Sequence, residues 1–264
     1  MPKVLIICGD LPPFSGHPGS GAGLRALGLG QGLKARGHQV VWAVPKAAVP
    51  KGSNPPPEVA DHLFERQELP RFIQERRPAV VIFQHWSLLY GLEPINVPTV
   101  IDLHGPALLE TIYQNNPEIN TLLIHKIHSF RQADYFTCAG EFQKHYWYPW
   151  LILAEHDVRQ DVIGLVPVSL SPDVPERSPS KEVTLVYGGF YLPWQDPVWA
   201  LEQIVAELER RQKGRLLFFG GRHPFLKGVE AGVYQKLEQK LKTSTRVEIK
   251  GVVSRAELLD HYSR

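Results

Sequence analysis

Short apolar runs alternate with stretches of helical periodicity along most of this chain. Val4–Cys8, Gln39–Val44 and Val80–Phe83 are short runs that are apolar apart from Gln39. Such runs are typical of strands that are covered on both faces. Between the first two runs, leucines at positions 24, 27, 29 and 33 fall at roughly helical spacing, and Gly37 predicts the end of that helix. Strands that alternate with helices predict an α/β fold with a doubly wound parallel sheet.

The alternation continues to about residue 167. Val97–Leu103, Tyr135–Cys138 and Val162–Val166 predict further strands. A helical region is predicted from Ala107 to Gln132, and another helix after Gly140. We therefore predict one α/β domain over residues 1–167.

The segment at residues 168–181 interrupts this pattern, because it contains three prolines and several serines and has no apolar periodicity. Such a composition is typical of a linker. A second alternation then starts with Val183–Tyr187 and reaches Arg264 after three predicted strands. We predict a linker over 168–181 and a second α/β domain over 182–264. Three strands leave an open edge and helices without partners, so we expect this second domain to be incomplete.

Composition narrows the class of protein. The 264 residues are 43% apolar and 21% charged, which is typical of a globular protein with a sizeable core. The net charge of +2 gives no reason to expect a nucleic-acid partner. Cys8 and Cys138 lie too far apart to indicate a zinc site or a disulfide framework. Neither a signal peptide nor a membrane-spanning stretch is evident, so we expect a cytoplasmic location.

A glycine-rich segment at residues 16–23 lies between the first predicted strand and helix. Backbone amides there would converge with the positive end of the helix dipole, which suits a phosphate or a sugar hydroxyl. A dinucleotide fingerprint does not fit, because the loop is too long and its third glycine position holds Leu24. A structural role in a tight loop and in close helix packing stays open for this segment, and we expect Gly28, Gly30 and Gly32 to serve such a role.

The order of these features resembles that of the family 4 glycosyltransferases, which have the GT-B fold. The motifs that carry the resemblance in the first half are Pro12-Pro13, Gly19-Ser20-Gly21, Arg25, Gly37-His38-Gln39-Val40 and Asp102-Leu103-His104-Gly105. Those in the second half are Val186-Tyr187-Gly188-Gly189 and Leu217-Phe218-Phe219-Gly220-Gly221. Each motif is loose by itself, and the resemblance rests on their order and spacing over nearly the whole chain.

The resemblance implies two Rossmann-like domains of GT-B type, of which the second is incomplete. It implies the transfer of a sugar from a nucleotide-sugar donor to a hydroxyl of a carbohydrate or lipid-linked acceptor, with no metal or other cofactor. It also implies His104 as the catalytic candidate. The residues implied in binding of donor or acceptor are Gly19, Ser20, Gly21, Arg25, Gly188, Gly189, Arg222 and Lys227.

Two departures from the family pattern concern the donor side. The family usually places an arginine and a lysine after the glycine turn, where this chain has Phe190 and Gln195. Two cations would neutralise the leaving diphosphate, so Arg222 and Lys227 are the candidates for that role. The paired glutamates that hold the donor in the family would lie beyond Arg264, and a second chain that supplies the missing half-domain is one way to complete the site.

Several residues keep more than one interpretation. His104 either contacts the donor sugar or is a structural turn histidine, and Asp102 either orients His104 or caps the following helix. Arg25 either reaches an acceptor phosphate or solvates its helix. His125 and His128 share a helix face, but no third ligand accompanies them, so we expect no metal site.

The segment at residues 146–153 is unusually aromatic and apolar. It favours a helix packed at a domain interface, with peripheral contact to a membrane as the alternative. Two other functions also stay open. One is a non-catalytic nucleotide- or sugar-binding module, or half of a split enzyme; the other is a sugar-nucleotide epimerase of the same fold.

Overall fold

The computed structural model describes residues 1–14, 20–113, 117–168, 176, 182–192, 194–222 and 231–263. The chain divides into two compact units. The first unit comprises Met1–Leu108 and Glu118–Ser171, and the second comprises Leu109–Pro117 and Pro172–Arg264. Most of the predicted linker, as well as Gly19 and Lys227, lies outside the described residues.

The first unit contains a parallel sheet of seven strands in the order β3-β2-β1-β4-β5-β6-β7. The α/β class and the doubly wound sheet predicted from the sequence are confirmed. The shortest strand, β3, was not predicted, because two residues are too few to show a pattern. The strands are β1 (Lys3–Ile7), β2 (Gln39–Pro45), β3 (Leu63–Phe64), β4 (Val80–Phe83), β5 (Thr99–Asp102), β6 (Tyr135–Cys138) and β7 (Ile163–Leu165).

Helices α1, α2, α4 and α5 accompany this sheet, whereas α3 begins in the first unit and has most of its residues in the second. The helical region predicted from Ala107 to Gln132 is in fact two helices, α3 and α4. At the start of α1, the Ser20 hydroxyl accepts a hydrogen bond from the Gly23 amide at 3.0 Å, which satisfies one of the free amides of the first turn. The helices are α1 (Gly21–Ala35), α2 (Leu69–Arg76), α3 (Ala107–Tyr113), α4 (Ile119–Arg131) and α5 (Glu141–Leu153).

The hydrophobic core of this unit lies on both faces of the sheet. Alternate residues of β1 point to opposite faces, so Leu5 and Ile7 belong to one buried cluster and Val4 and Ile6 to the other. A strand that contributes to two cores has no polar face, which explains its continuous apolar run.

Close packing of α1 against β2 requires a glycine. A Cβ atom at Gly30 would lie 2.2 Å from the Trp42 ring, whose Nε1 donates a hydrogen bond to the Ala26 carbonyl at 3.0 Å. The packing role predicted for Gly30 is therefore confirmed. The same prediction is wrong for Gly32, which faces open space, since no atom lies within 4 Å of a Cβ there.

The second unit contains a parallel sheet with the strand order β10-β9-β8, which is accompanied by the helices α6, α7 and α8. Its core is formed by α6, α7 and β9, with Leu201, Val205, Phe218 and Leu237 buried together. The elements are β8 (Thr184–Tyr191), α6 (Val198–Arg211), β9 (Arg215–Arg222), α7 (Ala231–Thr243), β10 (Val247–Gly251) and α8 (Arg255–Ser263). None of the helices among the described residues combines the length and the hydropathy of a membrane span.

Strand β8 runs further than the sequence predicted. We expected the strand to end at Tyr187 and turn at the following glycines, but Gly188 and Gly189 continue the ladder opposite Phe219 and Gly220. The two strands approach so closely there that a Cβ at Gly220 would lie 1.8 Å from the Gly189 carbonyl oxygen. Gly220 also has a φ of 122°, which side chains disfavour. The glycines thus permit close pairing of the strands.

Candidate functional site

Polar residues gather where the parallel strands of the first unit end. Gln84 directly follows β4, Asp102 ends β5, and Thr137 lies next to the last residue of β6. Strands β5 and β6 pair with Asp102 opposite Thr137. Ligands of open α/β sheets bind at the carboxyl ends of the strands, so this edge is the place to look for a site.

Asp102 is the centre of this cluster. Its carboxylate is fully buried and accepts five hydrogen bonds. Three residues besides Arg25 donate to it: His104 from Nε2 at 3.1 Å, Thr137 from Oγ1 at 2.6 Å and Gln84 from Nε2 at 3.2 Å. These hydrogen bonds compensate for the hydration that a carboxylate loses on burial, so the charge can remain in the protein interior.

Arg25 contributes the strongest of these contacts. Its Nε and Nη2 atoms donate to the two oxygens of Asp102, each at 2.7 Å, and its Nη1 atom donates to the Val166 carbonyl at 2.9 Å. Two parallel N–H···O bonds between a guanidinium and a carboxylate are both strong and directional. The sequence left open whether Arg25 reaches an acceptor phosphate or solvates its helix; the structure places its guanidinium on Asp102.

The pKa of Asp102 reflects two opposing influences. Burial raises the pKa, but hydrogen bonds from His104 and Arg25, together with the Arg25 charge, bring it below its usual value. Asp102 is therefore ionised at neutral pH and only accepts hydrogen bonds. The Nε2 atom of His104 must accordingly carry a proton, and in the neutral ring Nδ1 is left as an acceptor.

A cleft of about 270 Å³ opens beside this cluster. It brings together three residues that the sequence singled out, namely Gly21, Arg25 and His104, with Gln143 and Val168 on its wall. Ser20 caps α1 at the edge of this region. Its hydroxyl donates to Asp10 at 2.7 Å while it accepts from Gly23. The cleft thus combines the start of a helix, a histidine and a buried ion pair.

A second histidine lies near the first and was not predicted. His85 follows β4, and its Nδ1 accepts a hydrogen bond from the Ser87 amide at 3.2 Å. Burial, with smaller contributions from the neighbouring His104 and Lys126, lowers the pKa of His85 to about 3. His85 is therefore neutral at physiological pH.

Other predicted site residues lie elsewhere. Gly188 and Gly189 are inside β8 and Arg222 ends β9, all in the second unit. Gly19 and Lys227 fall outside the described residues. Their roles stay predictions.

Metal binding gains no support from the described part of the chain, where no group of three or more His, Cys, Asp or Glu residues is arranged to hold a metal ion. The His125 ring, considered at first with His128, stacks on Tyr90 with 3.5 Å between the ring centroids.

Besides His85, sequence reasoning missed Gln84 and Thr137. A signal was present, because each is a polar residue at or next to the end of an apolar strand, as Asp102 is. Only the structure, however, shows that both side chains donate hydrogen bonds to one carboxylate, that of Asp102.

Comparison with models of known protein families identifies the family of this chain. The sequence model described as Glycosyltransferase Family 4 matches residues 19–159. No curated protein sequence matches this chain.

Solved structures show the fold. An α-glucosyltransferase in complex with UDP is 13% identical, with a TM-score of 0.59, and the match covers 100% of this chain and 71% of that one. Anabaena HepE in complex with UDP and glucose is 13% identical, with a TM-score of 0.60 and coverage of 98% and 72%. A variant of S. aureus TarM, in complex with Fondaparinux, α-GlcNAc-glycerol and UDP, is 7% identical, with a TM-score of 0.60 and coverage of 96% and 78%.

At these low sequence identities, the similarity to solved structures is evidence for the fold alone. The fold is of GT-B type, with two Rossmann-like units of which the second is smaller. The family model, by contrast, covers more than half of the sequence. This chain belongs to glycosyltransferase family 4.

Proposed function

We propose that this protein transfers a sugar from a nucleotide-sugar donor to an acceptor hydroxyl, and that His104 contacts the substrate in the cleft of the first unit. The observation that carries the proposal is the buried, ionised Asp102, which holds the Nε2 proton of a histidine that lines a cleft. Membership of a glycosyltransferase family supports it. So does the similarity to structures that contain UDP or UDP with glucose.

The chemistry of sugar transfer matches this arrangement. The transition state develops positive charge on the sugar and negative charge on the departing diphosphate. With its Nε2 proton held by Asp102, His104 offers Nδ1 as an acceptor for a sugar hydroxyl and has a carboxylate behind it. The first amides of α1, near Gly21, lie at the same cleft and suit an anionic or hydroxyl group of the substrate.

We also propose that the transfer needs no metal ion, since protein cations and amides would stabilise the leaving diphosphate. Arg222 and Lys227 remain the candidates on the donor side. Gly188 and Gly189 also remain candidates for contact with the donor.

The acceptor is proposed to be a carbohydrate or a lipid-linked molecule. Three exposed apolar side chains of α5 favour peripheral contact with a membrane: Phe142 is 94% exposed, Ile152 57% and Leu153 54%. Co-sedimentation with anionic vesicles tests this point. Wild-type protein should pellet with the vesicles, and the Phe142→Asp variant should stay in the supernatant.

The function itself is tested by turnover. The chain is incubated with UDP-glucose, UDP-N-acetylglucosamine or GDP-mannose and with methyl glucoside or octyl glucoside as acceptors, and the release of nucleoside diphosphate is measured. His104→Ala should lower kcat/KM at least about tenfold, which corresponds to about 1.4 kcal/mol of transition-state stabilisation. His128→Ala, which removes an exposed histidine of α4, is the matched control and should leave turnover unchanged.

The other outcomes assign other functions. Saturable binding of a nucleotide sugar without turnover would indicate a binding module or half of a split enzyme. Hydrolysis or epimerisation that needs no acceptor would indicate an epimerase-type activity. Equal turnover in the His104→Ala and wild-type proteins would refute the role given to His104.

A further inference from the structure

The two oxygens of Asp102 have different partners. Oδ1 accepts hydrogen bonds from Arg25 Nη2 at 2.7 Å and from Thr137 Oγ1 at 2.6 Å. Oδ2 accepts from Arg25 Nε at 2.7 Å, from Gln84 Nε2 at 3.2 Å and from His104 Nε2 at 3.1 Å. The histidine therefore depends on one particular oxygen, and the rotation of the carboxylate determines where that oxygen lies.

Thr137 opposes any such rotation from the far side of the carboxylate. The pairing of β5 with β6 places it directly opposite Asp102, and its carbonyl accepts a hydrogen bond from the Leu103 amide at 2.7 Å. The backbone of Thr137 is thus fixed to the same segment that carries His104. Its hydroxyl has a single proton, and that proton is directed to the ionised Oδ1 in a charge-assisted hydrogen bond.

Gln84 shows how strongly the fold favours hydrogen-bond donors around this carboxylate. Its side chain is almost fully buried, and its Nε2 donates to Asp102, while Oε1 has no hydrogen-bond partner among the described residues. A buried acceptor without a partner is costly. The reverse orientation of the amide would place a carbonyl oxygen against a carboxylate oxygen, which is worse.

We propose that Thr137 is a positioning residue of this site: by holding Oδ1 of Asp102, it directs Oδ2 to the Nε2 proton of His104 and so fixes the tautomer and orientation of that ring. Gln84 supports the same orientation from the Oδ2 side. The significance for sugar transfer rests on the proposed function, but the effect on the His104 ring does not.

Two kinds of variant separate the hydroxyl from the shape of the side chain. Thr137→Val keeps the β-branched shape that suits a strand and removes the hydroxyl, and Thr137→Ala removes it without adding a buried methyl group. Thr137→Ser retains the hydroxyl and should restore the wild-type behaviour. Thr121→Val makes the same exchange at an exposed position of α4 and is the matched control.

The readout is the pair of ring ¹⁵N shifts of His104 in two-bond ¹H–¹⁵N spectra of histidine-labelled full chain, assigned by their loss in His104→Gln. Wild type, Thr137→Ser and Thr121→Val should show a single Nε2–H tautomer. Thr137→Val and Thr137→Ala should show ring shifts averaged between the two tautomers. Turnover, where it is detected, should fall at least about threefold in both variants and recover in Thr137→Ser.

A wild-type His104 that carries its proton on Nδ1 would overturn the proposal even if the valine and alanine variants do not fold. So would unchanged His104 shifts in folded Thr137→Val. A chain that lacks transferase activity but shows the expected shifts would refute the proposed function while leaving the positioning role of Thr137 intact.

Discussion

Replacing Lys126 with methionine should change how the stability of the protein depends on pH. Lys126 lies in α4 and is 1% exposed. Its ammonium nitrogen is 3.5 Å from the centroid of the Trp150 ring and 4.5 Å from that of Trp147. The rings of Tyr146 and Phe130 lie 5.4 and 5.6 Å away. A charge in such a position loses its hydration, and burial lowers the pKa of Lys126 from 10.5 to about 7.

The sign of the effect follows from proton uptake. Between about pH 7 and pH 10.5 the unfolded chain keeps the proton of Lys126 and the folded chain does not. Unfolding then takes up a proton, so the free energy of unfolding rises with pH by about 1.4 kcal/mol per pH unit in that window. From about pH 7.5 to about pH 9.5 this residue should contribute an increase of about 2.5 kcal/mol.

Cation–π attraction opposes this effect. Each ring face stabilises the charged ammonium by about 0.5–2 kcal/mol, and the two tryptophans lie close enough to contribute. If the rings compensated fully for the lost hydration, Lys126 would keep an ordinary pKa and the pH dependence would vanish. We expect the loss of hydration to affect the pKa of Lys126 more than cation–π attraction does, because ring faces replace only part of the hydration of an ammonium group.

Urea denaturation followed by tryptophan fluorescence measures the difference. Wild type should gain about 2.5 kcal/mol relative to Lys126→Met between about pH 7.5 and about pH 9.5. Lys34→Met is the matched control, because it removes an exposed ammonium that lies 4.3 Å from the Trp42 ring centroid. This control should follow the wild-type pH dependence. Identical pH dependence in wild type and Lys126→Met would refute the reasoning.

Two further predictions concern packing and the buried ion pair. Gly30→Ala should lower the free energy of unfolding by about 1–3 kcal/mol, because its Cβ would overlap the Trp42 ring. In the same helix, Gly32→Ala should raise it by up to about 1 kcal/mol; equal effects of the two variants in urea denaturation would contradict the packing. Arg25→Met should cost about 3–5 kcal/mol, because Asp102 would keep a buried charge without its cation. A thermal midpoint within error of wild type would contradict that expectation.

Most strands of the first sheet could be predicted from the sequence, because a strand that is buried on both faces consists of consecutive apolar residues. Strand β4 is an unbroken apolar run and β1 is one after Lys3, and the bounds of both were predicted to within a residue. The failures occurred where the pattern is short or ambiguous. Strand β3 has two residues, and β8 continues through Gly188 and Gly189, which sequence rules assign to a turn.

Only the local contacts of the candidate site could be predicted from the sequence. Asp102 and His104 are two residues apart at the end of one strand, so their contact could be anticipated. Arg25 precedes Asp102 by 77 positions and Thr137 follows it by 35. Neither distance is encoded in local periodicity. The order of strands and the register of β5 against β6 determine these contacts, and both are properties of the whole sheet.

A mass balance of the reaction tests the central claim most directly. The chain is incubated with the same three nucleotide sugars and two acceptors, and all products are quantified by mass spectrometry. The account predicts, for at least one pair, an acceptor heavier by one sugar residue and an equal amount of nucleoside diphosphate, both lost in Asp102→Asn. Nucleoside diphosphate without a glycosylated acceptor, or product formation that Asp102→Asn leaves unchanged, would contradict it.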